Sequence, residues 1–304
     1  MFVEEYLRDL RRDRFSPRAV AAYARRVAAD VRGQFDANPA AVRAIWSVAL
    51  AFFAADFLAA GCLALGGSRH LAIRFFLDTA LVIPPAFALV TLSLTLLRDA
   101  NGYRLSALNI PITLTLLRIA MLPGLRVLLL ERRFAPALAV YLLAMATDVS
   151  DGWIARRTGQ ITRLGTVLDP VVDIVFNLTL FFTLASMALV PTWVAWAAAA
   201  RYGLLLFGGA SLIVLVGPLR IQPTLFGRMA GVVMAALVGL LVLLHAVRGA
   251  PAERLVPLTS TALGALLCAT VVQVILIGWY NLRVMRGKAE ARGRVVGDVR
   301  WGAR

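Results

Sequence analysis

Apolar residues in this chain come in long unbroken runs separated by short polar connections. Eight such runs lie at about 44–66, 75–97, 110–130, 134–154, 166–190, 193–216, 229–248 and 257–282, and each is close to the ~20 residues that carry a helix across a hydrocarbon core. They are continuous and rich in Leu, Ala and Val, whereas strands of a membrane barrel alternate apolar and polar positions. The pattern predicts an all-α integral membrane protein. Pro84-Pro85 is expected to bend the second run. Residues 1–43 differ. Ser16-Pro17 is a helix start, with a capping side chain and proline at the first helical position. Beyond it Val20, Tyr23, Val27, Val31 and Phe35 recur at helical spacing with Arg18, Arg25, Arg26 and Arg32 between them. This predicts an amphipathic helix that lies on the membrane surface or packs on another helix.

Composition agrees: 60% of the 304 residues are hydrophobic and the mean hydropathy is +0.78. The net charge of +15 adds topology. With the N-terminus inside, the inner segments hold Arg98, Arg104, Arg156, Arg157, Arg163, Arg220 and Arg228, and seven more Lys and Arg follow after Tyr280. The outer loops hold only Arg69, Arg74, Arg132, Arg133, Arg248 and Arg254. The bias predicts both termini in the cytoplasm, as in a multi-pass protein of a bacterial inner membrane. The excess charge suits anionic lipid headgroups; no basic stripe is interleaved with aromatics, which argues against a nucleic-acid partner. Cys62 and Cys268 each sit alone in an apolar run, and His70 and His245 stand alone, so neither a disulfide nor a histidine metal site is expected. The start is acidic and then Arg-rich, without the short apolar core of a signal peptide. The basic, Gly-containing tail after Tyr280 is expected to be poorly ordered.

The chemistry concentrates at the fourth and fifth runs. Asp148 and Asp151 close one membrane helix, and Asp169 and Asp173 open the next. Ionised carboxylates at membrane depth are costly and usually functional, and four so close repel one another unless a cation lies among them. Positions 148, 151, 152, 155 and 156 share one helix face, and 165, 169 and 173 form a stripe at i, i+4, i+8. Two antiparallel helices can turn these faces together. An all-oxygen donor set suits hard cations such as Mg²⁺ or Mn²⁺, and carboxylates with metal are a usual way to hold a diphosphate. Gly152, Ala155 and Gly165 leave room between the helices, and Arg156 is placed to meet phosphate oxygens.

The run from Asp148 to Asp173 resembles, position for position, the signature of the CDP-alcohol phosphatidyltransferases: D-x-x-D-G-x-x-A-R, eight residues, then G-x-x-x-D-x-x-x-D. Asn109-Ile110-Pro111, Leu114-Thr115 and Arg118 are similar to the family's first-helix motif, with Ile112 replacing its second Asn. Gly227-Arg228 looks like the Gly-Lys after the fourth core helix, and Arg201 stands where members acting on glycerol phosphate often carry Arg followed by an acid; here Tyr202 follows. The resemblance implies a six-helix core over 98–284. Before it come an amphipathic segment at 1–43 and two extra transmembrane helices at 44–97; after it comes a basic tail at 285–304.

It further implies two Mg²⁺ or Mn²⁺ ions held by Asp148, Asp151, Asp169 and Asp173. The CDP site would be lined by Asp148, Gly152, Ala155, Arg156 and Gly165, with Asn109 and Thr115. Asp173 would be the general base, and Arg118, Arg201, Arg220 and Arg228 would form a pocket for an acceptor phosphate. The implied reaction passes a phosphatidyl group from CDP-diacylglycerol to an alcohol and releases CMP, in a homodimer. Leu168-Asp169-Pro170 resembles phosphatidylglycerophosphate synthases and the related cardiolipin synthases, yet Ile174 stands where these commonly carry Lys. Phe207-Gly208-Gly209-Ala210 lies where another Arg often follows. Glycerol 3-phosphate is the first expected acceptor; phosphatidylglycerol, inositol phosphate and an unusual alcohol stay open. An intramembrane prenyltransferase would have more widely separated Asp motifs, and a transporter would often show internal repeats. Of the carboxylates outside the cluster, Asp78 is expected to be solvated near a membrane boundary and Asp56 to pair with an Arg.

Overall fold

The computed structural model describes residues 16–99, 101–208, 225–247 and 250–301. Among them, helix α1 spans Pro17–Ala37, α2 Pro39–Leu65, α3 Arg69–Leu92, α4 Ile110–Leu130, α5 Phe134–Thr158, α6 Arg163–Ser186, α7 Thr192–Gly203, α8 Leu225–Val247 and α9 Ala250–Trp301. Seven of them, α2–α6, α8 and α9, contain stretches long and apolar enough to cross a membrane. Their outward positions are apolar, with Leu50, Leu58, Leu81, Val149, Val167, Val232 and Leu276 all exposed. This is the surface of a protein whose solvent is lipid, and the chain is an integral membrane protein. The sixth predicted run begins as α7 and passes into a π-helical turn over Leu204–Gly208; its remainder lies outside the described residues.

The helices begin and end where local chemistry dictates. Ser16 caps α1 by accepting from the Ala19 amide, Asn38 caps α2 through the Ala41 amide, and Thr162 caps α6 through the Gly165 amide. Gly159 ends α5 in the left-handed region at φ 68°, a conformation open to Gly at little cost. Helix α3 runs through Pro84 and Pro85. Helix α9 continues to Trp301, through a stretch that lacks proline.

Two cores divide the molecule by depth. One joins the far half of α4 to α5, the later part of α6, α7, α8 and α9 through Leu125, Tyr141, Phe176, Phe181, Val238 and Leu263. The other joins the near halves of α4 and α6 to α2 and α3 through Ile45, Phe87, Leu116 and Val172. The α2–α3 hairpin is therefore packed directly against α4. Polar contacts add to it: Asp78 of α3 pairs with Arg126 of α4, and the Asn38 side-chain amide donates to the Leu105 carbonyl at 2.9 Å. The expectation for the two outlying carboxylates is corrected here. Asp78 holds the Arg, while Asp56 accepts from the Thr79 hydroxyl at 3.2 Å; apolar periodicity does not tell which helix face meets a cation on a neighbour. The amphipathic helix α1 packs against the Leu94–Leu96 turn and α2, and stays largely exposed.

Candidate active site

Helices α4, α5 and α6 meet at the end of the bundle where α4 and α6 begin and α5 ends. Asn109 fixes this rim. Its side-chain oxygen accepts from the Ile112 amide at 3.2 Å, capping α4, and its amide donates to the Gln160 carbonyl in the α5–α6 turn at 2.8 Å. The backbone amide of Arg163 donates to the Arg98 carbonyl at 3.3 Å, which ties the approach to α4 to the start of α6.

About two to three turns inside this rim the four signature carboxylates converge. Helical rise puts Asp169 and Asp173 roughly 9 and 15 Å from the start of α6, and Arg118 about 12 Å along α4, at a matching depth. The Arg118 guanidinium lies among the carboxylates, with Nη2 2.6 Å from Asp148 and 2.9 Å from Asp151, and Nη1 paired with Asp173. Thr115, one turn earlier, faces the remaining side. Its hydroxyl is 3.1 Å from Asp151 Oδ2, 2.9 Å from Asp169 Oδ1 and 3.1 Å from the Pro111 carbonyl. One proton serves three acceptors, so the hydroxyl favours one at a time. Burial is graded: the side chain of Asp151 is 7% exposed, those of Asp148 and Asp173 44% and 48%. The cluster is closed toward α4 and open on the side of Asp148 and Asp173.

The small residues sit at the same place. The Arg156 side chain folds back over Gly152, so that a Cβ there would lie 3.2 Å from its Nη1. Gly165 packs against the Thr162 hydroxyl at a similar distance and faces Ile112 of α4. Ala155 is half-buried on the same face of α5.

Of the four cationic residues expected in one acceptor pocket, three are among the described residues. Arg118, expected there, is only 1% exposed and bound to carboxylates; spacing along α4 fixed its face but not its partners, which lie 30–55 residues away. Arg201 is half-buried near the end of α7. It lies over the Tyr202 ring, 5.2 Å from its centroid, with Nη1 3.3 Å from the Met234 sulfur and a buried Nε without a partner. Among the described residues no carboxylate pairs with it. Tyr202 is buried under this guanidinium, and α7 packs against α6, the helix that carries Asp169 and Asp173. Arg228 is exposed in the first turn of α8, and Arg220 lies outside the described residues. Sequence reasoning missed Thr162, a buried cap of α6 next to Gly165; a Thr three residues before the signature Gly is the signal that points to it.

Four carboxylates supply a hard, all-oxygen donor set of the kind that suits Mg²⁺ or Mn²⁺. As the side chains stand, the cation inside the set is the guanidinium, and among the described residues no three His, Cys, Asp or Glu are arranged as a metal site.

Comparison with known proteins gives named relatives for part of the chain. Over 84 residues, 27% of this chain, it is 42% identical to the rat protein named cardiolipin synthase (CMP-forming), covering 28% of that protein. Over 79 residues it is 37% identical to an Aquifex aeolicus CDP-diacylglycerol–glycerol-3-phosphate 3-phosphatidyltransferase, covering 26% of this chain and 43% of that one. A cardiolipin synthase (CMP-forming) of Streptomyces coelicolor is 34% identical over 119 residues, 37% of this chain and 52% of that protein. The chain thus spans between about a quarter and about half of the length of these relatives. The family model for CDP-alcohol phosphatidyltransferase matches residues 108–282, more than half of the chain and all of α4 to α8, so the chain belongs to the CDP-alcohol phosphatidyltransferase family.

Proposed function

We propose that this protein transfers a phosphatidyl group from CDP-diacylglycerol to glycerol 3-phosphate, releasing CMP, at the Asp148–Asp173 cluster. The observation that carries this reading is the convergence of four carboxylates from α5 and α6 on one buried point beneath an open rim. Family membership and the relatives' names supply the reaction class.

Asp148, Asp151, Asp169 and Asp173 would hold two divalent ions, Mg²⁺ or Mn²⁺, which neutralise a diphosphate and the charge that develops on departing CMP. The chain's own residues do the rest. Gly152, Ala155 and Gly165 keep their own side chains out of the space between α5 and α6, so that the cytidine and diphosphate lie against backbone. Arg156, folded over Gly152, reaches the phosphate oxygens. Asn109 and Thr115 line the same pocket from α4. Asp173 is the general base: Arg118 takes its Oδ1, leaving Oδ2 to receive the hydroxyl proton. The acceptor oxygen attacks the β-phosphorus, the phosphoanhydride bond to CMP breaks, and the proton passes to Asp173.

Arg201 supports a phosphorylated acceptor. A guanidinium at this depth with no carboxylate partner among the described residues calls for an anion, and α7, which carries it, packs against α6, the helix of Asp169 and Asp173. By the family resemblance Arg228 and Arg220 would add to the same cationic approach, and Arg228 is exposed in the first turn of α8. The site faces the cytoplasm, in keeping with the Arg distribution, as in a bacterial inner membrane. Residues 98–284 form the catalytic core of a homodimer, while 1–43, 44–97 and 285–304 lie outside it. The test is to offer the purified protein CDP-diacylglycerol with glycerol 3-phosphate, phosphatidylglycerol or inositol phosphate and weigh the lipid products. A product with phosphatidylglycerol alone would overturn the acceptor; no lipid product with any alcohol would overturn the reaction.

A further inference from the structure

We infer that Arg118 is the resident counter-ion of the carboxylate cluster, a positioning residue that holds Asp148, Asp151 and Asp173 together before a divalent ion binds and gives up part of these contacts when one does. The inference rests on the cluster being the metal site.

Its charge and its burial carry the case. A single guanidinium 1% exposed meets carboxylates from both α5 and α6, at 2.6 Å for Asp148 and 2.9 Å for Asp151, with Asp173 on its other nitrogen. No other side chain described here spans both helices with a positive charge. Without it, four carboxylates at membrane depth face one another with only the Thr115 hydroxyl between them, an arrangement that costs heavily unless the charges are paired. The guanidinium does not saturate its site, however. Its Nε is buried without a hydrogen-bond partner, and one positive charge stands against four carboxylates. A guanidinium with one buried donor unmet, whose single charge stands against four carboxylates, leaves room for a divalent ion to displace part of its hydrogen bonds to Asp151 and Asp173. An anchor for an acceptor phosphate would instead keep its donors free of carboxylates, as Arg201 does among the described residues.

The experiment compares the parent, Arg118→Met and Arg118→Lys in detergent, with Mn²⁺ binding read from the free-ion EPR signal and unfolding temperature read in chelator and in excess Mn²⁺. Arg118→Met should unfold well below the parent in chelator, recover most of the difference in Mn²⁺, and bind Mn²⁺ at least tenfold more tightly. Arg118→Lys keeps the charge and should stay within about threefold of the parent's affinity, by electrostatics. An equal loss of stability with and without Mn²⁺, or unchanged Mn²⁺ affinity in Arg118→Met, would overturn the inference. If Arg118→Met does not accumulate, Arg118→Met/Asp151→Asn, with one negative charge fewer, should; failure of this double variant where Asp151→Asn alone folds would also overturn it. A parent that neither binds Mn²⁺ nor is stabilised by it would instead overturn the metal-site reading itself.

Discussion

Thr115 offers the most economical perturbation of the site. Thr115→Val removes one hydroxyl and keeps the shape, at a position buried on α4 between Asp151 and Asp169. The proton lost serves ionised acceptors, and such a hydrogen bond contributes about 1.5–3 kcal/mol. The contacts to Pro111 and to the two carboxylates share that proton, so the loss counts once rather than three times. At about 1.4 kcal/mol per tenfold, kcat/KM for CMP release should fall roughly 10- to 150-fold. Thr115→Ser keeps the hydroxyl and loses one methyl, about 0.8 kcal/mol, so it should stay within roughly fivefold of the parent. The assay is initial-rate CMP release from CDP-diacylglycerol in mixed micelles at saturating Mg²⁺. A Val variant within twofold of the parent would refute the reasoning, and so would a Ser variant as impaired as Val.

Arg201→Gln should raise KM for glycerol 3-phosphate about tenfold or more while leaving that for CDP-diacylglycerol unchanged, since a guanidinium–phosphate bond contributes about 1.5–3 kcal/mol; steady-state kinetics with each substrate varied checks this. Thr162→Ala removes the cap of α6 and should cost about 1 kcal/mol of stability. Gly165→Ala pushes a Cβ to 3.2 Å from the same hydroxyl, so the two losses should be less than additive in thermal unfolding. Asp78 and Arg126 join the α2–α3 hairpin to the core; a double-mutant cycle to Ala should return a coupling of roughly 0.6–1.7 kcal/mol, the range of polar contacts between membrane helices, and additive single effects would show the pair to be idle.

Much of this was legible in the sequence because two short-range rules govern it. Apolar run length located the spans, and the four-residue spacing of Gly165, Asp169 and Asp173 put them on one stripe that α6 presents to α5 and α4. What escaped is pairwise and long-range. Periodicity placed Arg118 and Asp78 on helices but could not name their partners, Asp148, Asp151 and Asp173 in one case and Arg126 in the other. The same limit hid Tyr202: in sequence it is only a departure from the expected acid after Arg201, and in the fold it is buried with its ring under the Arg201 guanidinium.

The most direct measurement is CMP release by the purified protein from CDP-diacylglycerol and glycerol 3-phosphate, with and without chelator, for the parent and Asp173→Asn. The parent should release CMP in step with a phosphatidylglycerophosphate product, and lose the activity in chelator. Asp173→Asn should still bind CDP-diacylglycerol and not turn over. Release that persists in chelator, or turnover by Asp173→Asn at the parent's rate, would contradict the assignment.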